Sequence, residues 1–359
     1  MTLTGFVLLY IAATIAIGVI AATRVKNTSD FALAGRSLPL PMVITATFAT
    51  WFGSETILGL PGRFIESGIA GVIEEPFGSG MALILVGTFF AHKLYKQNIL
   101  TLGDYYRDRY GRSVELLCSV AIVISYLGWV GAQVTALGLV INLITEGAVS
   151  MTTGMVIGAA VVLAYTMVGG MWSVAMTDFV QMIVIVVGLV AILWFATDLA
   201  GGMDKVVDYA RGRDLFHAFP EPTTTGWLFW ISAAMTMMIG SIPQQDVFQR
   251  VMSAKNLPTA VAGPILGGSF YILFAFVPMF IVVAAILVMP DAAEKMLSED
   301  PQQLLPTLVR DYMPMWLRVV FFGAVLSAVM STASATMLAP STIFVENVLR
   351  HFMKIDDRN

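Results

Sequence analysis

Cysteine occurs once in the 359 residues, as Cys118. A single thiol cannot close an internal disulfide, and His92, His217 and His351 are too scattered to complete a zinc site with it. Redox and structural-metal roles drop out. Charge is equally scarce: Asp, Glu, Lys and Arg make up 12% of the chain, about half the roughly 25% usual in soluble domains. That excludes an ordinary cytosolic enzyme. Nor is there a basic excess, because 20 Lys and Arg face 24 Asp and Glu for a net charge of −4, whereas nucleic acid asks for a basic face or stripe. A basic leader is also missing ahead of the apolar stretch from Phe6 to Ala22, and Arg24 and Lys26 follow it. The stretch therefore reads as a retained first helix and not as a signal peptide.

What is abundant is apolar. Hydrophobic residues make up 57% of the chain and the mean hydropathy is +0.81. Crossing about 30 Å of hydrocarbon takes about 20 helical residues, so this composition predicts a polytopic membrane protein with several spans. Apolar runs and the polar breaks between them place nine transmembrane helices, at about 4–23, 39–64, 69–92, 114–143, 152–170, 174–197, 226–250, 259–289 and 316–348. An all-α bundle follows, since open sheet edges cannot face lipid. With the N-terminus outside, the inner loops collect Arg24, Lys26, Arg36, Lys93, Lys96, Arg107, Arg109, Arg112, Arg250, Lys255, Arg350, Lys354 and Arg358. The outer side holds Arg63, Lys205, Arg211, Arg213, Lys295, Arg310 and Arg318. The positive-inside rule then puts the N-terminus outside and the C-terminus in the cytoplasm.

Two spans contain residues a straight helix does not want. The second carries Gly53-Ser54 and then Gly59-Leu60-Pro61-Gly62, and the seventh reads Gly240-Ser241-Ile242-Pro243-Gln244-Gln245. They lie five helices apart. Gly and Pro inside a membrane helix free backbone groups that persist where they line an enclosed or wet cavity, and a matched pair of broken spans points to a transporter binding site. Packing kinks are the alternative. Glu55, Glu74, Glu75 and Asp178 fall in or beside spans, where an ionisable group costs roughly 2.5–3.5 kcal/mol at the helix centre and so faces a cavity or a partner; otherwise they sit at the membrane interfaces. The ninth span bears Ser327, Ser331, Thr332, Ser334 and Thr336. These hydroxyls serve either close helix packing or, with carbonyls freed at the first break, a cage of hard oxygen donors for an alkali cation.

Five segments taken together resemble the sodium:solute symporter family along nearly the whole chain: Phe31 to Arg36, Phe48 to Ser54, Gly169 to Asp178 with Gln181, Gln249-Arg250, and Ala328 to Thr332. The resemblance implies a five-plus-five inverted-repeat core of the leucine-transporter type behind one extra helix. Residues 1–38 then hold the extra helix and an inner loop, 39–197 the first repeat (core helices 1–5), 198–225 an outer loop, and 226–359 core helices 6–8. The second repeat is incomplete, and the expectation is a chain truncated after core helix 8.

Carried over by position, the resemblance implies sodium binding by the carbonyls of Ala49, Phe52 and Ala328 and the hydroxyls of Ser331 and Thr332. Asp178, with Thr177 beside it, falls on the inward sodium path. Glu75, with Glu74 as the alternative match, corresponds to an acid facing the substrate. Thr50 to Gly53, Glu75 to Gly78 and Phe248 to Arg250 are closest to the choline-transporter branch, as a partial match. Trp51 and Trp129 align with aromatics able to pack on an ammonium group, but Ser79 and Gln244 stand where that branch has further aromatics. Ser241, Gln244 and Gln245 offer neutral hydrogen-bond partners at the second break.

The expected function is sodium-coupled symport of a small polar organic solute by alternating access, the solute being an organic cation or zwitterion such as an amino acid or a choline- or betaine-like molecule. The partners are that solute, sodium as coupling ion and the bilayer of a bacterial inner membrane. No other cofactor and no nucleic acid is expected. A small monocarboxylate is the alternative solute, and the input domain of a membrane sensor kinase is the alternative of another class. An intramembrane enzyme would need a nucleophile or metal set that the spans do not carry.

Overall fold

A computed structural model describes residues 3–353, apart from the side chain of Val7. Lys354 and Arg358, counted above on the inner side, lie outside the described residues. Those residues are almost wholly helical, and the one strand-like feature among them is an isolated bridge between Leu38 and Ala254. The helices that carry the architecture are α1 (Leu3–Ala22), α2 (Leu40–Trp51), α3 (Leu60–Gly71), α4 (Ile73–Gln97), α5 (Arg112–Ile144), α6 (Met151–Leu199), α7 (Thr224–Gly240), α8 (Gln245–Ser253), α9 (Leu257–Val288) and α10 (Met315–Ile343).

Six helical segments of the described residues are long and apolar enough to cross a membrane, and α7 with α8, bent by 45° at their junction, form a seventh candidate. The chain is a multi-pass membrane protein. Its longest helix, α6, has 49 residues, about 74 Å at 1.5 Å per residue and more than twice the roughly 30 Å hydrocarbon core. It cannot cross once and straight. Gly170 interrupts it with φ +48° and ψ −136°, and a Cβ there would meet the Phe31 carbonyl oxygen at 2.3 Å. Only glycine fits such a bend at such a contact. The expected spans 152–170 and 174–197 lie on either side of it.

The second expected span also divides. Helix α2 ends at Phe52, whose φ −86° and ψ 70° are not helical, and helical structure resumes to run as far as Gly71. It therefore extends beyond the expected end at 64, with a non-helical Gly68 (φ +59°) near its close.

Burial sorts the helices by role. In α10 and its continuation 89% of the most apolar stretch is buried, against 17% in α5. Helix α10 is thus the central post, packed on α6, α5 and α2, and its small residues let those neighbours approach closely. Tyrosines tie it in place: Tyr165 of α6 donates to the Met330 carbonyl at 3.1 Å, and Tyr10 of α1 lies 2.5 Å from Ser327 Oγ.

Candidate functional site

The hydroxyl run of α10 meets the first break. Ser327, Ser331, Thr332, Ser334 and Thr336 are all buried. Ser331 Oγ lies 3.1 Å from the Ala49 carbonyl oxygen and 2.5 Å from Asp178 Oδ1, and Thr332 Oγ1 donates to the same Ala49 carbonyl at 3.2 Å. One serine proton serves a single acceptor at a time, so the hydroxyl keeps lone pairs for another partner. Phe52, three residues on, is fully buried where the helix stops. Ala328 is one turn earlier than Ser331 and Thr332 on the same buried helix. Gly53 makes the approach possible, because a Cβ there would stand 2.8 Å from Thr332 Oγ1 and 2.9 Å from Glu55 Oε2. The break and the hydroxyl helix therefore place neutral oxygens close together, as a dehydrated alkali cation requires.

Asp178 is buried beside this group. Its Oδ2 has no hydrogen-bond partner among the described residues, nor has the amide of Gln181 one turn on. Thr177 is turned to its own helix, its hydroxyl lying 2.8 and 3.0 Å from the carbonyl oxygens of Ser173 and Val174. Arg250 is buried as well, with Nη1 donating to the Asp246 carbonyl at 3.3 Å. Asp246 had drawn no attention in the sequence, and Arg250 only as an inner-side charge and part of a family segment; the available signal for the two together was a charged pair one turn apart in an otherwise apolar span.

The candidates for the substrate separate into two groups. Trp51 and Trp129 have ring centroids 5.6 Å apart at 55°, and Tyr126 stacks on Trp129 at 6.0 Å. Tyr126 in turn donates to Asp246 Oδ1 and accepts from the Asp246 backbone N–H at 3.0 Å. An aromatic row thus links the first break to α8. Glu75 lies elsewhere: its Oε1 accepts from Tyr271 at 2.6 Å and Thr56 at 2.8 Å. It lines a cavity of about 660 Å³ together with Ser54, Glu55, Arg63, Thr135 and Asp300. Within that lining Glu55 accepts from Gln133 Nε2 at 2.6 Å. Glu74 is half-buried and does not line the cavity.

The second break is only partly enclosed. Ser241 is buried, with Met237 Sδ 3.9 Å from its hydroxyl, while Gln244 is half-buried with Oε1 lacking a partner among the described residues. Gln245 is turned away, its carbonyl oxygen accepting from the Leu102 backbone N–H at 3.0 Å. Gln133 and Tyr271 hold the two glutamates of the cavity without lining it themselves, and neither stood out in the sequence.

The family model described as the sodium:solute symporter family matches residues 31–359. The chain belongs to that family. Among its relatives in the sodium:solute symporter family, the human high affinity choline transporter 1 is 29% identical over 353 residues, covering 92% of this chain and 59% of its own. The high-affinity choline transporter 1 of Caenorhabditis elegans is 28% identical over 336 residues, covering 89% and 56%. The sodium/proline symporter of Haemophilus influenzae is 26% identical over 372 residues, covering 96% and 70%. This member of the family therefore spans a little over half the length of the choline transporters it matches. Its fold is similar to that of a Na+-coupled sialic acid symporter solved in a substrate-bound, outward-open state, with a TM-score of 0.85 at 18% identity over 99% of this chain and 75% of that one.

Proposed function

We propose that this chain carries the ion and solute sites of a sodium-coupled symporter that imports a small organic cation or zwitterion by alternating access around its two broken helices. The observation that carries the reading is the meeting of Ser331 and Thr332 with the Ala49 carbonyl at the first break. Carbonyls of Ala49, Phe52 and Ala328 with these two hydroxyls form a neutral donor set that replaces a hydration shell without burying an unpaired charge. Asp178, in contact with Ser331, takes the ion on its way to the cytoplasm, with Thr177 beside it. Solute binds on the outer side of this cage, between the first break and Glu75 with Glu74, Trp51 and Trp129 flanking, and Ser241, Gln244 and Gln245 belong to the second break.

In this reading the chain crosses the membrane nine times, N-terminus outside and C-terminus inside. Residues 39–197 make the first repeat of an inverted-repeat core, and 226–359 the part of the second repeat that this chain contains.

Sodium-driven uptake into proteoliposomes tests the assignment. Ser331→Ala and Thr332→Ala are each expected to raise the sodium concentration for half-maximal uptake by roughly tenfold, as for a lost bond to a charged partner. Unchanged sodium dependence in both variants, at normal expression, rejects the cage.

A further inference from the structure

The cavity of about 660 Å³ is lined by two glutamates that both follow the first break, Glu55 directly after it and Glu75 at the head of α4. Neutral groups fix both carboxylates. Glu55 is held by Gln133 through Oε1 and approached by Ser54 Oγ at 3.3 Å from Oε2, and Glu75 is held through Oε1 by Tyr271 and Thr56. Neither carboxylate forms an ion pair with a described residue. Arg63 is the single basic residue in the lining and is exposed, whereas Asp300 adds a third acid. The volume suits a small ligand, and its two glutamates are fixed acceptors with which Arg63, although in the lining, makes no ion pair.

A quaternary ammonium needs a different wall. Having no N–H to donate, it is held by aromatic faces, and here Trp51 and Trp129 lie against each other at 5.6 Å and outside this cavity. An ammonium that carries N–H groups fits what is present, because charge-assisted hydrogen bonds to carboxylates are about twice as strong as neutral ones. Resting on the symporter reading above, we infer that the solute's cationic group is a primary or secondary amine, or a guanidinium, bound between Glu55 and Glu75, and not a quaternary ammonium. Gln133 is the positioning residue: its amide aims the Glu55 carboxylate into the cavity, and without it that carboxylate would be free to turn.

The test is direct binding to the purified protein in sodium buffer, using ethanolamine, its N-methyl and N,N-dimethyl derivatives, choline and agmatine. Affinity is expected to fall along the methyl series, with choline weaker than ethanolamine by roughly tenfold or more. Glu55→Gln and Glu75→Gln are each expected to weaken the amine by a similar factor and to flatten the series, while Gln133→Leu weakens it less and leaves the order intact. Radioactive sodium binding is measured on the same samples. Choline binding equal to or tighter than ethanolamine overturns the inference, as does failure of all five compounds to bind. So does loss of sodium binding, with the amine order kept, in the glutamate variants, which would make the cavity an ion site. Retained sodium binding in the unmodified protein, with any of these results, leaves the symporter reading standing. Loss of sodium dependence altogether is what would remove that reading.

Discussion

The two helix breaks carry similar residues and sit in different surroundings. At the first, Trp51, Phe52, Gly53 and Ser54 are all buried, with Gly53 against Thr332 of α10. At the second, α7 before the bend has no buried residue, whereas all nine residues of α8 after it are buried. Pro243, between the two, is exposed. Glycine and proline mark where a helix gives way, but the neighbour that receives the freed carbonyls decides what the break can do. The first break delivers the Ala49 carbonyl to two hydroxyls. The second is a boundary between a half-helix facing outward and a half-helix packed inside.

The strongest way to break this contrast is to put the same methyl group on both sides. Gly53→Ala would bring a Cβ within 2.8 Å of Thr332 Oγ1 and 2.9 Å of Glu55 Oε2. Such overpacking costs about 1–3 kcal/mol, and the shift falls on Thr332 of the proposed cage, so sodium binding should weaken together with thermal stability. At Gly240, the last residue of α7, a Cβ meets nothing within 4 Å. Gly240→Ala should leave stability unchanged or raise it by up to about 1 kcal/mol, through helix propensity alone. Melting in detergent with and without sodium measures both. Equal losses at the two glycines would mean that the breaks are equivalent.

A second experiment sharpens the first break by separating holding from release. Asp178→Asn keeps an acceptor facing Ser331, so the local packing survives while the charge is removed. Release of sodium to the inside should slow by about tenfold, the order expected for losing one charged contact, with solute affinity changed far less. Single-turnover measurements in proteoliposomes read the two separately. A loss of folded protein without a kinetic change in the remainder would show the carboxylate to be a structural partner of α10.

The breaks and the hydroxyl run were legible in the sequence because each is a local departure from an apolar background: glycine, proline, serine and threonine stand out against leucine and valine wherever the chain goes next. What the sequence hid are pairings between distant helices. Gln133 reaches Glu55 across 78 positions, Tyr126 reaches Asp246 across 120, and Tyr271 reaches Glu75 across 196. No periodicity reports such contacts, since each residue taken alone is compatible with ordinary packing. The tryptophans show the converse. Trp51 and Trp129 do come together, but their meeting joins them to Tyr126 and Asp246 instead of to Glu75. A resemblance in residue type located the pair without giving its surroundings.

The smallest expected effects lie at the second break, where two adjacent glutamines separate cleanly. Gln244 has a carbonyl oxygen with no partner among the described residues, so it has an acceptor to offer a solute's neutral or N–H end. Gln245 has already committed its carbonyl to the Leu102 backbone N–H at 3.0 Å. A neutral hydrogen bond contributes about 0.5–1.5 kcal/mol, and leaving a buried donor unpaired costs about 1–3 kcal/mol. Gln244→Ala should therefore weaken solute binding by a few-fold, about the value of one neutral bond, while the melting temperature stays put. Gln245→Ala should do the reverse: the orphaned Leu102 amide lowers stability, and solute affinity in the folded fraction is nearly unchanged. Binding and melting curves on the two variants give four numbers whose pattern matters more than their size. If both glutamines shift affinity alike, α8 presents its first turn to the solute, and the second break resembles the first more closely than its burial indicates.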